Sequence, residues 1–134
     1  MIIDTGVVYA GADEDDADHV ACAEVLDAHP GRLLVPVPVL VESAWLIERR
    51  LGPAAEARFL IAAGHELERV DLLDAEWDRA AGLIATYADL GLGLVDASVV
   101  AVAERLGVAQ IATLDRRHFS VVRPRHVDAF ELLP

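Results

Sequence analysis

Apolar and polar residues follow two patterns along this chain. Short apolar runs bounded by turn residues indicate strands, and longer stretches with apolar residues three to four positions apart indicate helices. We predict strands over residues 1–3, 33–35, 67–70, 110–114 and 127–132, and helices over residues 17–28, 39–51, 54–63, 75–88 and 95–106. Residues 29–31 (His-Pro-Gly) end the first of these helices, and Asp74 is the predicted N-cap of the fourth.

The order of these elements indicates an α/β fold. Strands separated by helices are joined by crossover connections, which produce a parallel sheet with helices on its faces. We therefore predict a three-layer α/β/α sandwich with a short-stranded, mostly parallel central sheet. The length of 134 residues predicts a single domain, residues 1–134. In such sheets, ligands bind at the carboxyl ends of the strands.

Four acidic residues fall where predicted strands end or predicted helices begin: Asp4, Glu42, Asp96 and Asp115. We expect them to meet at one edge of the sheet. Glu42 and Asp96 stand in apolar stretches of the sequence, where a buried charge is costly unless it is paired or bound to a metal. Four acids from four separate segments at one edge favour a site over coincidence.

Ordinary structural roles remain open for three of these acids taken singly. Asp4 is also a candidate N-cap, and Asp96 is placed to complement the dipole of its helix. Asp115 precedes Arg116 and Arg117, with which it could form a surface ion pair.

Charge and composition exclude some reaction mechanisms and binding partners. The formal net charge is −12, and every one of the 11 basic residues is arginine. The absence of lysine excludes a Schiff base and a Walker-type phosphate loop. An acidic chain is an unfavourable partner for nucleic acid unless some of its acids hold cations.

Clustered carboxylates repel one another, so they must take up protons or share a cation. Oxygen ligands select Mg²⁺ or Mn²⁺ over zinc. The five histidines show no ligand spacing and are expected to be structural or exposed, and the single cysteine, Cys22, excludes a cysteine-based zinc site. A carboxylate site holding such ions suits phosphodiester hydrolysis.

The surroundings of the protein can also be inferred. The N-terminus carries no basic region typical of a secretory signal, and no apolar run reaches the ~18 residues of a membrane helix. With one cysteine, we expect a reducing, cytoplasmic setting and no membrane contact. The apolar content of 54% and mean hydropathy of +0.37 indicate that a partner or a second copy covers part of the surface.

Four segments match one family in order and spacing: residues 2–5 (Ile-Ile-Asp-Thr), 39–42 (Val-Leu-Val-Glu), 94–98 (Leu-Val-Asp-Ala-Ser) and 112–115 (Ala-Thr-Leu-Asp). Over essentially its whole length the chain resembles the PIN-domain ribonucleases, in particular the VapC toxins of bacterial VapBC toxin–antitoxin modules. The most specific part is segment 94–98 followed by Thr-Leu-Asp-Arg-Arg-His-Phe at residues 113–119.

The resemblance implies a compact α/β/α fold and endonucleolytic cleavage of RNA with one or two Mg²⁺ or Mn²⁺ ions. It implies that Asp4, Glu42, Asp96 and Asp115 are the catalytic, metal-binding acids, with Asp115 acting through water. Thr113 occupies a position where the family often has a hydroxyl. Weaker candidates for a polar contact to the site are Thr5 and Ser98, whose alternative role is helix capping.

The arginines near Asp115 are candidates for binding the RNA backbone. Arg116 and Arg117, with Arg123 and Arg125 beyond them, could form bidentate bonds to phosphates. The alternative is a solvated loop that balances nearby acids.

The resemblance also implies protein partners: a homodimer, and a VapB-like antitoxin that lays a helix in an apolar groove. The candidate surface is formed by predicted helices 39–51 and 54–63, with Trp45, Leu46, Phe59, Leu60 and Ile61. Ordinary core packing is the alternative for each of these side chains.

A non-catalytic module that uses the same fold to bind RNA or protein is the alternative function. The presence of all four acids favours the nuclease. A receiver domain lacks its lysine here, and a haloacid-dehalogenase-like phosphatase would need aspartate where Gly6 stands. Cleavage of DNA rather than RNA stays open.

Overall fold

The computed structural model describes residues 1–29 and 31–134, which contain five strands and seven α-helices. The strands are β1 (Ile2–Ile3), β2 (Leu34–Pro36), β3 (Glu68–Val70), β4 (Gln110–Ala112) and β5 (Glu131–Leu133). The helices are α1 (Thr5–Ala12), α2 (His19–Ala28), α3 (Val37–Leu51), α4 (Pro53–Glu66), α5 (Asp74–Thr86), α6 (Leu94–Leu106) and α7 (Arg116–Val121). A short 3-10 turn, Ala88–Leu90, precedes α6.

The strands form one parallel sheet in the order β3-β2-β1-β4-β5. This confirms the predicted α/β/α class. The inner strands are apolar on both faces: Ile2, Ile3, Val35 and Ile111 are fully buried. Such two-sided burial is typical of parallel sheets covered by helices on both faces.

Helix α6 is the most deeply buried helix of the sandwich. Every residue from 97 to 103 is buried, including the small residues Ala97, Ala101 and Ala103. A helix that is apolar around its whole circumference belongs to the interior. Its first turn therefore lies at a fixed position relative to the sheet.

The strand order determines where the crevice of the sheet lies. From β1 the chain continues outward through β2 and β3 on one side, while β4 and β5 lie on the other side. The crevice of such a sheet opens where the order reverses, at the carboxyl ends of β1 and β4. The backbone N–H of Asp4 donates to the carbonyl oxygen of Ala112 at 2.9 Å, which joins these two strand ends.

Two helices have no counterpart in the sequence prediction. Helix α1 is buried at Val7, Val8, Tyr9 and Ala10, so it lacks the one-sided apolar stripe by which an amphipathic helix is recognised. Helix α7 has six residues, too few to show helical spacing.

The remaining elements are confirmed with shifted ends. Helix α3 begins at Val37, two residues earlier than predicted, because Pro38 lies in the first turn, where its missing N–H costs no intrahelical bond. Strand β4 ends at Ala112, and Asp74 is the first residue of α5 rather than its N-cap. Pro30, part of the predicted stop after the second helix, lies outside the described residues. In residues 1–29 and 31–134, no helix has the length and apolarity needed to cross a membrane.

Candidate functional site

The four predicted acids lie at the same edge of the sheet. Asp4 follows β1, Asp115 follows β4, Asp96 is in the first turn of α6, and Glu42 is in the second turn of α3. The charges of Asp96 and Glu42 both raise the pKa of Asp4, and those of Asp115 and Glu42 raise the pKa of Asp96. The acids are therefore close enough to act on one another.

Asp4 is the buried member of the group, with 5% of its surface exposed. Its backbone occupies the N-cap position of α1, but its carboxylate makes no capping hydrogen bond. Instead, the Thr113 hydroxyl donates to Asp4 Oδ2 at 2.8 Å. Burial raises the pKa of Asp4 to about 6, even though the hydrogen bonds from Thr113 and from the Thr5 backbone N–H lower it.

Thr113 connects two of the acids. While its hydroxyl donates to Asp4, the same oxygen accepts the backbone N–H of Asp115 at 2.9 Å. Thr113 is itself buried at the end of β4. Its position at the site agrees with the hydroxyl position that the resemblance implies.

Asp115 caps helix α7. Its Oδ1 accepts the backbone N–H groups of Arg117 at 3.0 Å and His118 at 3.3 Å. The carboxylate thus binds the backbone of the following helix, rather than forming the surface ion pair that its arginine neighbours suggested.

Asp96 is half-buried and holds the start of α6. Its Oδ2 accepts the N–H of Gly93 at 3.3 Å. Burial is the largest cause that raises the pKa of Asp96, and the Gly93 N–H and the His118 ring lower it. The helix-start role and a place at the site are therefore compatible.

Glu42 corrects one expectation. Despite its apolar neighbours in sequence, Glu42 is exposed, because this face of α3 also presents Val41 and Trp45 to solvent. The Thr5 hydroxyl donates to Glu42 Oε2 at 2.5 Å. The argument from buried charge fails for Glu42 and applies instead to Asp4.

The ring of His118 lies beside two of the acids, a contact that the expectation of structural or exposed histidines did not include. Its Nδ1 lies 3.0 Å from Asp96 Oδ2 and 3.1 Å from Asp115 Oδ2. The two carboxylate oxygens are thus no more than about 6 Å apart. The spacing of Asp115 and His118 could have indicated this contact, because residues three apart on a helix are neighbours. That signal is usable only once residues 116–121 are recognised as a helix.

The carboxylate oxygens of the four acids are suitable ligands for a hard divalent cation, although their present arrangement does not surround a metal position. Within residues 1–29 and 31–134, no group of three or more His, Cys, Asp or Glu side chains is arranged to hold a metal ion. The carboxylates of Asp4 and Glu42 each accept from a threonine hydroxyl, and the His118 ring contacts those of Asp96 and Asp115. Carboxylate oxygens are nevertheless the ligands that Mg²⁺ and Mn²⁺ select, and buried Asp4 pairs with a hydroxyl rather than with an arginine.

Ser98 does not join the acids. It is fully buried inside α6, and its hydroxyl donates to the carbonyl oxygen of Val95 at 2.6 Å. The hydroxyl thus satisfies its own helix backbone. Neither a contact to the site nor a capping role is present in this arrangement.

The four arginines that follow Asp115 in sequence lie in two different places. Arg116 and Arg117 are exposed in the first turn of α7, beside Asp115, and the Arg116 guanidinium donates to the carbonyl oxygen of Pro134. Arg123 and Arg125 lie elsewhere: the backbone N–H of Arg125 donates to Glu104, near the far end of α6. Eight residues separate Asp96 from Glu104, which is about 12 Å along a helix.

Two apolar concavities adjoin these elements. The first, which we call the tryptophan cleft, is about 630 Å³ and is lined by Val41, Glu42, Trp45, Trp77 and Leu94 among others. Trp45 and Trp77 are about half exposed there, at 54% and 50%. The second, which we call the α1–α4 groove, is about 310 Å³ and includes Gly11, Ala12, Ala55, Phe59 and Ala62.

The fold and the carboxylate site define an α/β/α protein suited to metal-ion chemistry, and comparison with known proteins identifies its family. The family model of the PIN domain matches residues 1–123 of this chain. The chain is 37% identical to Ribonuclease VapC26 of Mycobacterium tuberculosis (strain ATCC 25618 / H37Rv) over 135 aligned positions, which cover all of both proteins. This chain belongs to the PIN-domain family, as the sequence resemblance indicated.

A solved structure shows the same fold. The crystal structure of Mycobacterium tuberculosis VapC20, described as a sarcin–ricin loop cleaving toxin, matches with a TM-score of 0.83. The match covers 95% of this chain and 98% of that one at 20% identity.

The buried Asp4 carboxylate predicts a pH-dependent gain of stability in the Asp4→Asn variant. Because the pKa of about 6 in the folded protein exceeds the ordinary value of 3.8, the folded state binds this proton more tightly than the unfolded state does. The contribution of the Asp4 carboxyl to the stability of the wild type therefore falls as the pH rises from 4 to 6. Without divalent ions, we expect Asp4→Asn to be more stable by about 1–3 kcal/mol at pH 7.5, with little difference near pH 4.

Urea unfolding in the presence of a chelator at both pH values measures this difference. Asp27→Asn, an exposed change on α2, serves as the matched control and should show no such dependence. An Asp4→Asn variant that is no more stable than wild type at pH 7.5 would contradict the raised pKa of Asp4.

Proposed function

We propose that this chain is a single-domain endoribonuclease that depends on Mg²⁺ or Mn²⁺, and the toxin of a toxin–antitoxin pair of the VapBC kind. The observation that carries the proposal is the meeting of Asp4, Glu42, Asp96 and Asp115 at the reversal point of a PIN-family sheet. The full-length identity to a named ribonuclease supports it. The cytoplasm, where RNA is available, is the proposed location.

The four acids would hold one or two ions through their carboxylate oxygens. Bound ions supply positive charge for the scissile phosphate and lower the pKa of a water molecule. Asp4 is the fixed anchor because it is buried and held by Thr113. Asp115 Oδ1 is already bound to the backbone of α7, and Oδ2 lies 3.1 Å from His118 Nδ1, which supports its acting through water.

Arg116 and Arg117 are the proposed contacts to the RNA backbone. They are exposed cations in the first turn of α7, next to a candidate metal ligand. Arginine binds phosphate oxygens in a bidentate manner. In a chain with a net charge of −12, these cations and the metal ions would counter the repulsion between protein and RNA.

A homodimer formed through the tryptophan cleft is the proposed assembly. Val41, Trp45, Trp77 and Leu94 are large apolar side chains that are all exposed on this face. Contiguous apolar surface of this kind is typical of subunit interfaces, where tryptophan is enriched.

The α1–α4 groove is the proposed binding site of the antitoxin. Gly11, Ala12, Ala55 and Ala62 are small, so a partner helix can approach closely. The acidic run at residues 13–18 continues from the end of α1, which favours a partner segment that is apolar on one face and basic on the other. Of the predicted antitoxin contacts, Phe59 lines this groove, whereas Trp45 belongs to the tryptophan cleft.

Cleavage of RNA tests the function directly. Purified protein is incubated with a panel of structured RNAs, including a sarcin–ricin loop hairpin, with and without Mg²⁺ or Mn²⁺. We expect cuts at discrete sites that require the ion and that fall by about 100-fold or more in Asp4→Ala and Asp96→Asn.

Asp78→Asn, an exposed change on α5, is the matched control and should cleave like wild type. If the folded protein binds RNA but the wild type and Asp4→Ala behave alike with every ion, the non-catalytic binding module becomes the better reading.

The arginine contacts predict a change in the salt dependence of RNA binding. In an Asp96→Asn background that prevents cleavage, replacing both Arg116 and Arg117 by alanine should weaken binding. It should also reduce the slope of log K against log salt by about one per lost phosphate contact. Filter binding across a salt series measures the slope. The paired change of Arg123 and Arg125 is the control, and equal slopes for the two double variants would reject the assignment.

The dimer interface predicts that a charge in the tryptophan cleft dissociates the protein. Trp45→Glu places an unpaired carboxylate in the proposed apolar contact, so we expect a monomer in light scattering at concentrations where the wild type is a dimer. Val20→Glu, a change at another exposed apolar position, on α2, should remain dimeric. A monomeric wild type would contradict this assembly.

A further inference from the structure

Thr5 makes polar contacts to two of the four acids. It is the first residue of α1, directly after Asp4, and only 8% of its surface is exposed. Its backbone N–H, which has no acceptor inside the helix, donates to the Asp4 carboxylate. Its hydroxyl donates to Glu42 Oε2 at 2.5 Å. Thr5 therefore connects the buried acid after β1 with the exposed acid of α3.

The direction of the Thr5 hydroxyl is determined by packing. Threonine is branched at Cβ, so its first side-chain torsion has few accessible values, and burial restricts that torsion further. A hydroxyl at the start of a helix often bonds to its own backbone segment. Here it contacts α3 instead, 37 positions further along the chain, because α1 packs against α3.

The Glu42 carboxylate has a single hydrogen-bond partner among the described residues, the Thr5 hydroxyl, and no ion pair there. Glu42 is exposed, and a glutamate side chain has three rotatable bonds, so its carboxylate would otherwise sample many positions. The contact to Oε2 restrains the carboxylate and leaves Oε1 without a protein donor.

We propose that Thr5 is a positioning residue for the metal site, whose hydroxyl holds the Glu42 carboxylate so that Oε1 faces the divalent cation. This inference rests on the proposed metal-dependent function. A side chain loses rotamer freedom when it binds an ion, and a hydrogen bond that already restrains it reduces that loss. Such outer partners determine how well the ligands bind a metal.

Removal of the hydroxyl tests this role. Thr5→Val keeps the branched shape without the donor, and Thr5→Ser keeps the donor without the methyl group. Thr5→Ala also lacks the donor and is used if valine disturbs folding. Mn²⁺ is titrated into each metal-free protein, the free ion is followed by electron paramagnetic resonance, and thermal unfolding without metal is measured in parallel. Thr86→Val is the matched control, because the Thr86 hydroxyl donates to Gly82 inside α5.

We expect Mn²⁺ affinity to fall by about 10-fold in Thr5→Val and Thr5→Ala, and to be largely retained in Thr5→Ser and Thr86→Val. In a Glu42→Ala background, the further change Thr5→Val should leave the affinity as it is, because the hydroxyl acts through the Glu42 carboxylate. A purely structural role would give equal Mn²⁺ affinity in all folded variants at position 5, with lower unfolding temperatures.

Two results overturn the positioning role alone, provided that the wild type binds Mn²⁺ and cleaves RNA. The first is a Thr5→Val variant with the Mn²⁺ affinity of wild type. The second is a loss of affinity on Thr5→Val that is equally large with and without the Glu42 side chain. Wild-type protein that binds no Mn²⁺ overturns both this inference and the metal-dependent function.

Discussion

Repulsion between carboxylates at one edge of the sheet is the constraint around which this site is arranged. Each acid has neutral hydrogen-bond donors of its own. Asp4 has the Thr113 hydroxyl, Glu42 has the Thr5 hydroxyl, Asp96 has the N–H of Gly93, and Asp115 has two backbone N–H groups at the start of α7. No arginine is salt-bridged to any of the four within the described residues. The negative charge of the edge is thus distributed over hydrogen bonds, which a divalent cation can replace at lower cost than ion pairs.

The topology brings these groups together from distant parts of the sequence. Asp4 and Thr113 are 109 positions apart, yet they are hydrogen bonded because β1 and β4 are neighbours in the sheet. Asp96 is held in place by α6, whose buried small side chains allow close packing over the strands. The packing of the apolar core therefore determines the geometry of the polar edge.

Local sequence signals predicted the fold class and the meeting of the acids, because strand ends and helix starts can be recognised from short segments. They were insufficient where a signal depends on tertiary burial. Helix α1 is buried on several sides and shows no amphipathic pattern. The burial of Glu42 was inferred from its neighbours in sequence, but a helix turns successive residues in different directions, and Glu42 is exposed. His118 could be placed only after α7 was known.

Glu42 links the acidic edge to the apolar surface beside it. The same helix face carries Glu42 at the site and Val41 and Trp45 in the tryptophan cleft. A second copy that covers the cleft would exclude water from one side of Glu42. Lower local dielectric strengthens the attraction between a carboxylate and a cation, but it also raises the cost of leaving that carboxylate unpaired. Assembly and metal binding at this edge are therefore expected to be coupled in free energy, with Glu42 as the residue common to both.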